Sequence, residues 1–363
     1  MRDVLGTVGW VATVDVLAAP ALGVSSAGRG LRLLGSIPGR RNDVVAVING
    51  LFGDTLDERD SSLATPMTLR AGDTVLPLDR AALPDALAGA GVPVRPRLCV
   101  LVHGLMSTES VWQLPSEPGA TYGTLLAEDH DMTVLTVRYN TGRHISTNGR
   151  ELSRLLAELT RIWPVRVREI NLIGHSMGGL VIRSACHAAH RSVPRGRQFP
   201  IGRRWTRRLR RVVLIGSPNT GAGLEALVNS ISAALWSLPI PATRLVGLGL
   251  DRRSAGIKDL RFGAVVDEDW VERDPDARER PHPHRPLRLR RTRHLAIAGS
   301  VTGDPEHPVA RLIGDALVTS SSAAGTTDDG DLFPGARVLT FPKITHITLA
   351  RHPEVYTGIA DWW

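Results

Sequence analysis

A chain of 363 residues with 42% hydrophobic and 22% charged side chains is long enough to bury a substantial core, which excludes intrinsic disorder. The net charge of +8 suggests an anionic partner until it is located: positions 191–211 hold nine arginines and no acid, positions 278–294 hold seven arginines against one glutamate, and the rest is net acidic. Basicity confined to two loops argues against a nucleic-acid-binding face, and the two cysteines, Cys99 and Cys186, sit in apolar runs and read as buried thiols.

Residues 1–96 read as an N-terminal extension. The apolar stretch 8–24 is interrupted by Asp15 and Pro20 and lacks a basic leader. It is therefore expected to be a packing or interfacial helix, not a signal or a span, which favours a cytoplasmic protein. The arginine-rich loops would then give any peripheral contact with an anionic membrane. Another apolar run covers 44–51, and MTLRAGDTVLPLD at 67–79 has the pattern of a hairpin.

From 97 onward strand and helix patterns alternate. LCVLV at 98–102 is a continuous apolar run suited to a strand buried on both faces, and His103-Gly104-Leu105 follows it. A helix is predicted at 122–130 and a strand at 132–138. Asn148 with Glu151 three residues later predicts a capped helix start, and Leu152, Leu155, Leu156, Leu159 and Trp163 form its apolar stripe. Further strands are expected at 170–173, 212–215, 294–298 and 336–341, with a last helix at 355–362. The expected class is α/β: a mostly parallel sheet flanked by helices, in a domain over 97–363. Positions 221–270 follow a strand's carboxyl end and include Leu227, Val228, Ile231, Leu235 and Leu238, which makes them a candidate cap or lid.

The chain is organised around Gly174-His175-Ser176-Met177-Gly178-Gly179, which joins a buried strand to helix-forming residues. G-x-S-x-G in that context puts the serine at the apex of a turn too tight for Cβ atoms at its flanking glycines. A serine nucleophile needs a base and an acid to orient that base, in the chain order serine, acid, histidine. Of twelve histidines, only His346 and His352 lie beyond the last predicted strand. His346, in the loop KITHIT, has the better placement, while His352 before Pro353 reads as the start of the last helix. Spacing does not separate Asp315 from Asp304 as the acid, and Asp328, Asp329 and Asp331 read as a solvated turn. The expected oxyanion donors are the backbone N–H groups of Met177, at a helix N-terminus, and of Leu105. Neither C-x-x-C nor H-E-x-x-H occurs, so no metal or cofactor is expected.

The segments LVHGLMST (101–108), NLIGHSMGGLVIRSA (171–185), LIGSPNTGAG (214–223), GDALVTSSSA (314–323) and THITLARHPEVY (345–356) together resemble the α/β-hydrolase superfamily. Within it they are similar to the lipase and esterase branch that includes PGAP1-like acyl hydrolases. The resemblance covers roughly 97–363 and implies an acid in a GDG-V-like segment, hence Asp315, with Ala316 at the second glycine and Asp304 as runner-up. It implies a serine carboxylic-ester hydrolase working through Ser176, His346, Asp315 and an acyl-enzyme on a lipid-like or other apolar ester. The rivals are an acyltransferase or thioesterase with the same site, and a non-catalytic protein of this fold whose arginine loops bind an anionic membrane or nucleic acid.

Overall fold

Apolar runs that alternate with neither polar nor charged residues need burial on both faces, and in the computed structural model they find it in the middle of one sheet. The structure describes residues 41–190, 203–223, 253–271, 291–303 and 314–363. The strands are β1 (Thr68–Ala71), β2 (Thr74–Val75), β3 (Arg97–Val102), β4 (Thr133–Arg138), β5 (Glu169–His175), β6 (Leu209–Ile215), β7 (Arg293–Ser300) and β8 (Arg337–Pro342). They form one eight-stranded sheet in the order β2-β1-β4-β3-β5-β6-β7-β8. The predicted hairpin is β1–β2, and β1 pairs antiparallel with β4, so residues ahead of 97 extend the sheet. Every pairing from β4 through β8 is parallel.

The helices are α1 (Arg41–Glu58), α2 (Leu83–Gly89), α3 (Tyr122–His130), α4 (Ile145–Ile162), α5 (Met177–Ala188), α6 (Arg203–Thr206), α7 (Ala255–Phe262), α8 (Ser320–Ala324) and α9 (Pro353–Trp362). Side chains alternate across β3: Leu98, Val100 and Val102 join a core with α4 and α5, while Cys99 and Leu101 join one with α3 and α9. Both thiols are free and buried, as expected. Among the described residues no helix is long and apolar enough to cross a membrane.

Helix α4 departs from its expected start. It begins at Ile145 after His144, and Asn148 lies inside it, donating from Nδ2 to Asn140 O at 2.9 Å. Glu151 pairs with Arg143 at 2.9 Å, so neither residue caps. The apolar stripe is buried as predicted, and the run 44–51 lies within α1. The stretch 8–24, Asp304, and most of the candidate lid and of both arginine-rich stretches lie outside the described residues.

Candidate active site

β5 ends at His175 and α5 begins at Met177, leaving Ser176 alone between them with φ 54° and ψ −124°. That backbone costs a residue with a Cβ about 1–3 kcal/mol and persists only where its surroundings hold it. The turn leaves no room for side chains at its flanking glycines. A Cβ at Gly178 would come 2.1 Å from Val102 O, and one at Gly174 would come 2.5 Å from Gly179 N. Ser176 N–H donates to Ile215 O at 2.8 Å, which ties the turn to the end of β6.

His346 lies in the loop after β8, and its Nδ1 is 2.8 Å from Asp315 Oδ2, in a pair that is almost entirely buried. A carboxylate can only accept, so Nδ1 carries the proton and Nε2 is left as a bare acceptor. Nε2 is buried and has no partner among the described residues. The backbone orients the acid: Asp315 Oδ1 accepts from Leu317 N–H at 3.0 Å and Val318 N–H at 2.8 Å. Asp315 O accepts from His346 N–H at 3.0 Å. Gly216, next to the carbonyl that holds Ser176, places its hypothetical Cβ 3.2 Å from both His346 Nδ1 and Asp315 Oδ2. Ser176, Asp315 and His346 thus follow the carboxyl ends of β5, β7 and β8, although Ser176 Oγ and His346 Nε2 are not hydrogen-bonded. Such contacts often tighten only around substrate.

The two backbone donors expected from sequence flank the serine. Met177 opens α5, so its N–H has no acceptor within its own helix. Leu105 follows Gly104, where a Cβ would lie only 2.9 Å from Ser176 Cβ, so this backbone runs directly beside the nucleophile position. Met106 then adopts φ 57°, its N–H donating to Thr141 Oγ1 at 3.2 Å. Helix α1 braces the turn: a Cβ at Gly50 would fall 2.2 Å from Met106 Cγ. Ser254 Oγ, the N-cap of α7, donates to Gly50 O at 2.7 Å and holds α1 there.

Sequence reasoning gave no role to the side chains of His175 and His103. His175 Nε2 donates to His346 O at 3.0 Å, and burial, followed by the neighbouring His346, pushes its pKa down to about 3. It is therefore a neutral donor that holds the histidine loop. His103 Nδ1 donates to Gly104 O at 2.9 Å, its ring stacks on Tyr139 at 4.6 Å, and burial lowers its pKa to about 4. Both stand within the recognised motifs, which was the available signal; their partners are set by tertiary structure. His352 is the N-cap of α9, as expected, and Asp328, Asp329 and Asp331 are exposed.

Residues 99–357 match the model of the family described as Alpha/beta hydrolase family. No match was found among curated proteins. Among solved structures the chain is similar to a Bacillus licheniformis lipase in mature form, at 18% identity over 74% of this chain and 93% of the other, with a TM-score of 0.44. It is also similar to a Rhodococcus esterase at 18% identity over 75% and 92%, TM-score 0.41. A third is the carboxylesterase CesB of Bacillus subtilis, at 13% identity over 74% and 83%, TM-score 0.39.

Proposed function

The chain belongs to the alpha/beta hydrolase family, and from that premise we propose that it is a serine hydrolase of carboxylic esters. The observation that carries this reading is the buried His346–Asp315 pair at 2.8 Å, with a partnerless Nε2 at the end of the sheet that presents Ser176. Ser176 Oγ attacks the acyl carbon and its proton passes to His346 Nε2, while the Asp315 carboxylate stabilises the imidazolium. The carbonyl oxygen, now an oxyanion, takes the N–H groups of Met177 and Leu105. Collapse expels the alkoxide, which His346 protonates, and a water deprotonated by His346 then releases the acid and regenerates the serine.

The substrate we favour is a lipid-like or other apolar ester. Supporting it are Ile347, which is half-exposed beside His346, and the partly buried Leu105. The segments at 171–185 and 314–323, which resemble the lipase and esterase branch of the family, support the same reading. Fluorophosphonate labelling tests the reaction class: wild type should be labelled and Ser176→Ala should not. Equal labelling of the two proteins would remove Ser176 from the mechanism. A chain-length series of synthetic esters tests the substrate class, with kcat/KM expected to rise from acetyl towards longer acyl groups.

A further inference from the structure

A second concentration of charge lies at the other end of the sheet. Segments leading into β3, β5 and β6 frame a cleft of about 840 Å³ lined, among the described residues, by Arg166, Arg168, Arg207, Arg208 and Arg210, otherwise by valine and proline, and by no acid. The seven residues of β5, about 23 Å at 3.3 Å per residue, separate it from Ser176.

The carboxylates nearby are engaged elsewhere. Glu169 pairs with Arg97 and Arg211, and Asp131 pairs with Arg95. Arg166, Arg168, Arg207 and Arg210 form no ion pair among the described residues. Backbone carbonyls help to hold the guanidinium groups in place: Arg208 Nε donates to Val167 O at 2.7 Å, and Arg210 Nη1 to Arg207 O at 2.9 Å. Five like charges around one cleft repel one another. An anion reverses the sign of that interaction. Guanidinium forks match the paired oxygens of phosphate, and the volume is within the range of roughly 300–1,000 Å³ usual for ligand sites. A single phosphate would leave most of these arginines unused.

We propose that this cleft binds an anion bearing more than one phosphate-type charge, either a soluble polyphosphate-like ligand or phosphate headgroups of an anionic membrane. The inference is independent of the ester chemistry, since none of these residues belongs to the site around Ser176. The test uses the full chain, sodium tripolyphosphate in a calorimetric titration, and flotation with phosphatidylglycerol or phosphatidylcholine vesicles. Tripolyphosphate, phosphatidylglycerol vesicles or both should bind, and phosphatidylcholine vesicles should not. The change Arg166→Gln/Arg168→Gln/Arg210→Gln should weaken that binding roughly tenfold or more, and added salt should weaken it in the wild type. Binding of tripolyphosphate alone assigns a soluble ligand, and binding of vesicles alone assigns a headgroup. Thermal melting verifies that the triple variant is folded, and Arg166→Gln alone, at an exposed position, should give a smaller loss in the same direction. Failure of both anionic probes to bind, or equal binding by wild type and the folded triple variant, would overturn the proposal.

Discussion

At Asp315 the backbone decides orientation before the histidine is met: Oδ1 is taken by the N–H groups of Leu317 and Val318, and Oδ2 is left to His346 Nδ1. Asp315→Asn keeps an acceptor at Oδ1 but turns an amide N–H₂ towards Nδ1. The ring can answer only by accepting there and carrying its proton on Nε2, the wrong tautomer for a base. The expected result is a fall in kcat of about 10⁴-fold on a soluble p-nitrophenyl ester, with KM and melting temperature nearly unchanged. Retention of kcat within about tenfold of wild type would place the acid elsewhere. The departure from the family pattern next door also has a physical meaning. Ala316 sits at φ 79°, a left-handed backbone that glycine adopts without strain, and the chain bears that strain while still delivering Asp315 to His346.

Elements whose signal is local were legible in the sequence. The runs that became β3, β5 and β6 are apolar because both their faces are buried, and the elbow is legible because its six residues are consecutive. The start of α4 was not, because what fixes it is remote: Asp259 accepts from Ile145 N–H across 114 positions. Asp315 was separable from Asp304 only through its motif, since the loop after β7 meets the loop after β8 by tertiary packing. Helix α1 was hidden for a related reason. Gly50 looks like a weakness inside a helix, about 1 kcal/mol worse than alanine, but it is the seat for Met106 and so braces the Leu105 N–H. Gly50→Ala should push Met106 off that seat and displace the donor loop, lowering kcat by about 10²-fold with little change in KM. Adding Met106→Ala removes the Cγ that the new methyl meets and should restore most of the rate. Loss of rate without rescue by the second change would mean that α1 acts on stability alone, which a melting curve would register.

Among the described residues His103 and His175 are fully interior histidines, held neutral in the folded state with pKa values lowered from 6.5 to about 4 and about 3, burial being the first cause in each. In the unfolded chain both return to about 6.5, so below that pH the unfolded state binds more protons than the folded one. Stability therefore falls as pH falls, by up to about 1.4 kcal/mol per pH unit for each group. The loss begins near pH 6.5 and continues down to each folded pKa; above 6.5 neither group contributes a slope. Asp259 works in the opposite sense, because burial raises its carboxyl and lets the folded state take up a proton early. With His294, which burial also lowers to about 4, the three histidines together approach about 4 kcal/mol per pH unit, which sets a steep acid limb against a total stability of about 5–15 kcal/mol. Urea unfolding at pH 7, 6 and 5 should show this limb. His103→Asn, which keeps a donor for Gly104 O but cannot titrate, should flatten it by about a third. A slope equal in wild type and variant would assign the acid sensitivity to carboxylates instead of to these interior rings.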